Sequence, residues 1–236
     1  MPSIGLRWLP NLFTLTNLLL GLIAIALAYE RAWNWMGLAI GLALLCDWID
    51  GLLARLLRAE GPIGKELDTL ADLVTFGGVP AFALYNYVRP LVKSLPYGEE
   101  LRFWMVVVPF GLPLLAAWRL ARYNVQGMEN PLFFTGLPTP AQGVFWIGWL
   151  LSEPKGLWLH PVVWIILTLT VGGLMVSRIP CLALKTPRAL PWLAALIVMA
   201  VPVLGLPPDW RMPALLLIYV LGSQVVVLLT KDNTRS

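Results

Sequence analysis

Charge is what this sequence has least of: 13% of its 236 residues are charged, against 58% hydrophobic. With a mean hydropathy of +0.76, the chain carries more apolar surface than one soluble core of its size can hide, which excludes a soluble globular protein. Cysteine is almost missing. Cys46 and Cys181 fall in or near different expected helices, so they make no disulfide framework and are expected to stay reduced. The single histidine, His160, stands beside Pro161 and reads as an interfacial residue rather than a metal ligand. Repeats, low-complexity tracts and a soluble domain are absent too. The net charge of +4 calls for no nucleic acid and suits anionic lipid headgroups.

What the chain does have is a succession of apolar runs. A bilayer core needs about 20 mostly apolar residues per helix, and runs of that kind fall at 10–29, 34–57, 67–89, 101–123, 138–152, 157–177, 189–205 and 212–230, the fifth and seventh being short. The expectation is an all-α, polytopic transmembrane bundle of about eight helices, a single integral membrane domain over 1–236. Arg7, an apolar run and Ala26-Leu27-Ala28 imitate a cleavable signal peptide, but the run reaches spanning length and reads as a retained helix. With the N-terminus inside, 11 of the 17 lysines and arginines fall on the inner side and 6 on the outer. Both termini are therefore expected in the cytosol, in the cytoplasmic membrane. The 12 tryptophans are expected in aromatic belts at the bilayer edges, and Asn11 and Asn17 in hydrogen bonds between helices.

Against this background the stretch CDWIDGLLARLLRAEGPIGKELDTLADLVTFG, Cys46 to Gly77, is anomalous, because it holds Asp47, Asp50, Asp68 and Asp72. A helix turns about 100° per residue, which puts Asp50 about 60°, Gly51 about 40° and Ala54 about 20° from Asp47, all on one face flanked by Arg55. Asp68 and Asp72 lie one turn apart on the next helix. If the two helices are antiparallel neighbours, the four acids converge near one membrane boundary. Four charges at helix centres would cost on the order of 10 kcal/mol on insertion scales. Hard divalent cations such as Mg²⁺ or Mn²⁺, which prefer carboxylate and phosphate oxygens, remove that cost. The small residues Gly51 and Ala54 leave an opening on the acidic face.

The pattern D-x2-D-G-x2-A-R-x8-G-x3-D-x3-D, filled by Asp47, Asp50, Gly51, Ala54, Arg55, Gly64, Asp68 and Asp72, resembles the signature of the CDP-alcohol phosphotransferases. Members of that family move a substituted phosphate from a CDP-linked donor to an alcohol and release CMP. The resemblance implies a six-helix core with extra C-terminal helices and two divalent ions on the donor pyrophosphate among Asp47, Asp50, Asp68 and Asp72. It further implies that Gly51, Ala54, Arg55 and Gly64 help seat the CDP moiety, that Asp72 is the base that deprotonates the acceptor hydroxyl, and that the protein is a homodimer. The stretches LPNLFTLTNLLLG, ELDTLADLVTFGGVPA, WRLARYNV, FTGLPTPAQG and MVSRIPCLALK are similar to bacterial and archaeal phosphatidylserine synthases. That similarity implies CDP-diacylglycerol and L-serine as substrates, although Leu52, Thr69, Thr75 and Gly78-Val79 depart from the pattern.

For the acceptor, Arg119 and Arg122 lie three residues apart near the end of the fourth helix, followed by Asn124. An arginine fork is a natural partner for a serine carboxylate; Thr75 joins the same expected pocket. Both arginines also read as side chains snorkelling toward headgroups. Arg178 and Lys185 are candidates for the acceptor or a donor phosphate, and more simply ordinary cations at inner helix ends. A phosphorylated acceptor such as glycerol 3-phosphate or an inositol phosphate stays open on these residues. So does a carboxylate-lined cation transporter, although transport sites are expected near the bilayer midplane.

Overall fold

The computed structural model describes residues 8–126, 133–156, 160–182, 196 and 200–232. Seven helices run through them: α1 (Leu9–Tyr29), α2 (Trp33–Leu56), α3 (Pro62–Lys93), α4 (Glu99–Gln126), α5 (Thr139–Leu151), α6 (Pro161–Val176) and α7 (Pro208–Asp232). Five of them, α1 to α4 and α7, are long and apolar enough to cross a membrane. The protein is thus an all-α, polytopic membrane bundle. The seventh expected helix, at 189–205, falls mostly outside the described residues; what is described there ends in a 3₁₀ turn, Val201–Gly205.

Helix boundaries follow local chemistry. Proline opens α1, α3 and α6 in the first turn, where its missing N–H is no loss and its fixed φ suits the helix. Between α1 and α2 the chain reverses within three residues, with Arg31 at φ 57° and its guanidinium donating to the Asn86 carbonyl at 2.7 Å. Inside α3 the regular helix Pro62–Asp72 gives way to a π-helical segment, Leu73–Gly78, before Val79–Lys93 resumes. The third helix begins at Pro62 rather than at 67, because residues 62–66 are a polar, amphipathic entry that hydropathy alone passes over.

Small residues set the packing. The buried face of α1 is Pro10, Thr14, Asn17, Gly21, Ala24 and Ala28, spaced three or four apart, which lets α1 lie close against α2 and α3. A side chain at Gly21 would overlap Thr75 Oγ1 of the π segment. The buried stripe of α2 is Met36, Ala39, Ile40, Ala43, Asp47 and Asp50, so its two acids prolong an otherwise apolar face.

At 13 residues α5 spans about 20 Å at 1.5 Å per residue, short of the bilayer core of about 30 Å. It is an inner helix, packed against α2, α3 and α7. Trp146 and Trp149 of α5 meet Trp164 of α6, with ring centroids 6.1 and 4.1 Å apart, and all three rings are buried. These tryptophans form the core instead of a belt; among the described residues Trp8, Trp35, Trp48, Trp104, Trp118 and Trp210 are exposed. Leucines at 12, 15, 19 and 22 of α1 and at 217, 221 and 228 of α7 face outward, as lipid contact requires.

One element has no counterpart in the hydropathy pattern. Strands β1 (Phe133–Thr135) and β2 (Pro180–Leu182) pair antiparallel in the register Phe133↔Leu182, Phe134↔Cys181 and Thr135↔Pro180. Gly136, at φ 81°, backs onto the Met175 carbonyl so closely that any Cβ would collide. From α7, Tyr219 donates to the Leu182 carbonyl at 2.8 Å and Gln224 to the Pro180 carbonyl at 2.8 Å, while Ser223 Oγ accepts the Leu182 N–H at 3.0 Å. Backbone groups of this irregular segment are thereby paired inside the protein, as they must be away from water.

Candidate active site

The acids gather where the paired ends of α2 and α3 meet. Asp47 and Asp50, at 1% and 5% exposure, lie on the buried stripe of α2. The polar entry of α3 carries Asp68 and Asp72 onto the same side. Carboxylate oxygens of Asp47, Asp50 and Asp68 all lie within 4.8 Å of one another. Oxygens bound across a Mg²⁺ are about 4.2 Å apart at its usual bond length, so the trio is gathered on the scale of one ion. All-oxygen, carboxylate-rich donors are what hard divalent cations select, and the residues present fit such an ion. Asp72 is outside this trio and lines the same cavity one turn along α3.

That cavity has a volume of about 900 Å³. Its polar end is formed by Asp47, Asp50, Asp68, Asp72, Arg55, Lys65, Arg119 and Asn124. Apart from Thr69, Tyr123 and Tyr219 the rest is apolar, with Leu44, Leu45 and Trp48 from α2, Val144 and Phe145 from α5, and Met212, Leu215 and Leu216 from α7. A polar pocket opening into an apolar trough suits a ligand with a charged head and a hydrocarbon tail.

The other residues singled out from sequence divide into two groups. Gly51, Arg55, Arg119 and Asn124 line the cavity with the acids. A Cβ at Gly51 would have only Arg55 Nη1, at 3.7 Å, within 4 Å, so this face of α2 is open. Arg119, 6% exposed, donates from Nη1 to Thr139 Oγ1 at 2.8 Å and stacks over Phe134 with 6.0 Å to the ring centroid. Its Nε is buried with no hydrogen-bond partner among the described residues, and Asp72 is within Coulombic reach. Asn124 donates to Thr69 Oγ1 at 2.9 Å, and its carbonyl accepts Lys65 Nζ at 3.0 Å.

Ala54, Gly64, Thr75 and Arg122 are not among the lining residues. Gly64 faces α1, where a Cβ would come 3.0 Å from Asn11 Oδ1. Thr75 is fully buried and donates to the Asn17 carbonyl at 3.2 Å, which makes it a packing residue between α3 and α1. Arg122 donates to the carbonyls of Val176 at 2.9 Å and of Thr135 and Ser177 at 3.4 Å; it fastens the end of α6 to β1. Arg178 does not line the cavity either, and Lys185 lies outside the described residues. The side chain of Asn17 is buried without a hydrogen-bond partner among the described residues, so only its carbonyl makes the expected link between helices.

Sequence reasoning passed over Thr14, Thr139 and Tyr219. Thr14 donates to Asp50 Oδ2 at 2.7 Å; its place on the face of Pro10 and Asn17 was the available signal. Thr139 and Tyr219 come from distant parts of the chain, and no local spacing marks them. Cys46 and Cys181 are both free thiols. Burial pushes the Cys181 thiol up to about 11, with Arg119 acting in the opposite direction, so at neutral pH it stays protonated and unreactive.

Fold and site together define a helical membrane protein with an acid-headed, apolar-tailed cavity sunk among its helices. Comparison with known families matches residues 7–176 to CDP-alcohol phosphatidyltransferase. The chain belongs to that family. It is 33% identical to a CDP-diacylglycerol–serine O-phosphatidyltransferase of Mycobacterium leprae, over 83% of this chain and 65% of that protein. A Bacillus subtilis protein of the same description is 30% identical over 74% of this chain and 89% of its own length. One from Methanocaldococcus jannaschii is 31% identical over 70% and 69%. The chain spans somewhat under two thirds of the length of its mycobacterial relatives, 65% and 62% in the Mycobacterium leprae and Mycobacterium bovis proteins.

Proposed function

We propose that this chain is a CDP-diacylglycerol–serine O-phosphatidyltransferase, acting in the cytoplasmic membrane with its cavity open to the cytosol. The observation that carries the reading is the cavity itself, with four aspartates and a buried arginine at one end and a hydrocarbon-lined trough at the other. The relatives' names agree with it. One domain, the whole of 1–236, forms the working unit, with the catalytic signature at 47–72, and the functional form is a homodimer.

In this reading Asp47, Asp50 and Asp68, with Asp72 beside them, would hold two divalent cations. Bound Mg²⁺ or Mn²⁺ supplies charge neutralisation at the donor pyrophosphate and at the departing CMP oxygen. Open backbone at Gly51 lets the nucleotide approach α2, Ala54 keeps that face low, and Arg55 reaches the donor from its flank. Gly64 acts at one remove, by letting α1 close behind the acids. Serine is held through its carboxylate at Arg119, where the unpartnered Nε and the remaining Nη2 provide a fork. Asp72 takes the proton from the serine hydroxyl. The serine oxygen then bonds to the phosphorus that carries diacylglycerol, the bond from that phosphorus to the CMP oxygen breaks, and CMP leaves. Asn124 holds the α3 entry to α4 at the rim.

A phosphorylated acceptor needs several free cations near the base. Arg122 is committed to three backbone carbonyls, and of the lining cations Arg55, Lys65 and Arg119 only Arg119 is buried. One buried guanidinium matches a carboxylate better than a phosphate dianion. The test is an acceptor screen with purified protein, CDP-diacylglycerol and a divalent cation, with CMP as the readout. CMP release that requires L-serine is expected; equal release with glycerol 3-phosphate or an inositol phosphate refutes the assignment.

A further inference from the structure

The acids are held from behind as well as from within the cavity. No residue of α1 lines the cavity, yet Thr14 of α1 reaches Asp50 across the helix interface. Threonines in these helices ordinarily donate back to the carbonyl four residues earlier, a local habit of the side chain. Thr16 does so to Leu12 at 2.8 Å, Thr69 to Lys65 at 2.9 Å and Thr170 to Ile166 at 2.8 Å. Thr14 departs from them. Its distance to the Pro10 carbonyl is 3.2 Å, while its distance to Asp50 Oδ2 is 2.7 Å. A hydroxyl has one proton, and 2.7 Å is the length of a charge-assisted O–H···O⁻ bond. At 3% exposure the hydroxyl is shielded from bulk solvent.

We propose that Thr14 is a positioning residue: its hydroxyl fixes the plane of the Asp50 carboxylate so that the lone pairs left over face Asp47 and Asp68 and a shared divalent cation. The inference rests on the reading of that trio as the cation ligands. Its physical basis is that partners behind a ligand set the ligand's orientation, and that losing one typically costs about 10- to 100-fold in metal affinity or activity. The backing is firm because α1 is pinned on both sides of Thr14, by Asn11 against Gly64 and by Gly21 against Thr75.

Thr14→Val replaces the hydroxyl by a methyl of the same size. Binding of Mn²⁺ alone, followed by electron paramagnetic resonance on detergent-solubilised full-length protein without substrate, is expected to weaken about 10- to 100-fold. Thr14→Ser, which keeps the hydroxyl, is expected to recover most of the loss. On an Asp50→Ala background, which leaves no side-chain oxygen for Thr14 to hold, Thr14→Val should add nothing further to the loss of Mn²⁺ binding, since it acts through Asp50. If wild-type protein binds no Mn²⁺, the ligand assignment fails and the inference falls with it. If wild type binds and Thr14→Val binds equally well, the inference alone is wrong. Thr14→Ser as weak as Thr14→Val, or an equal loss on both backgrounds, also refutes it by assigning the effect to packing.

Discussion

Replacing Arg119 by lysine keeps the charge and removes the planar fork, which separates the proposed recognition of serine from simple electrostatics. In the structure the guanidinium uses Nη1 on Thr139 at 2.8 Å and its Nε has no hydrogen-bond partner among the described residues, so in the proposed reading Nε and Nη2 are the pair offered to the acceptor. A lysine ammonium at the end of an unbranched stem keeps at most one of those two bonds in line. A hydrogen bond to a charged group contributes about 1.5 to 3 kcal/mol, which corresponds to roughly 10- to 150-fold in a rate or binding ratio. Steady-state CMP release, measured against serine at saturating CDP-diacylglycerol and against donor at saturating serine, tests this directly. The serine KM is expected to rise by that factor while the donor KM stays close to wild type. Thermal stability in detergent serves as the control, because Arg119 also stacks on Phe134. An unchanged serine KM, or a donor KM that rises equally, would refute the placing of the acceptor at Arg119.

Three further outcomes follow from the same geometry. Asp72→Asn is expected to lower kcat by about 10²- to 10⁴-fold, the range for a lost general base, while donor affinity from equilibrium binding is largely kept; near-normal turnover refutes the base assignment. Gly21→Val drives a side chain into Thr75, an overpacking expected to cost about 1 to 3 kcal/mol and to be read as a lower melting temperature, whereas Gly61→Ala, with open space around it, is expected to leave stability unchanged. Leu216→Trp narrows the apolar trough and is expected to raise the KM for a long-chain donor more than for a short-chain one; equal effects on both donors would mean that α7 does not contact the lipid tail.

The bundle was legible where its signal is local. Both ends of α1 and α2 fall within a residue or so of the apolar runs, because a polar turn interrupts each run and nothing else competes. The acid face was legible for the same reason, since Asp47, Asp50 and Gly51 share a face through helix geometry alone. Other features depend on partners far along the chain. Burial of Trp146, Trp149 and Trp164 reflects an inner helix too short to span, and a tryptophan in a core has the same composition as one at an interface. Arg122 read as a substrate ligand because its three carbonyl partners lie between 13 and 55 residues away. The pairing of β1 with β2 and the arrival of Tyr219 at the cavity are likewise long-range, and no periodicity announces them.

The wide π-helical turn at Leu73–Gly78 sits directly after Asp72 and inserts extra chain between two halves of α3 with opposite duties. Ahead of it the helix presents acids to a charged cavity; behind it Val79, Ala83 and Leu84 fill the aromatic core. Removing a single residue from this turn would tighten it and swing one half against the other by about 100°. Either the carboxylates or the core side chains would then point at lipid. A one-residue deletion here should therefore be far more damaging than most point substitutions nearby, although it subtracts no charge.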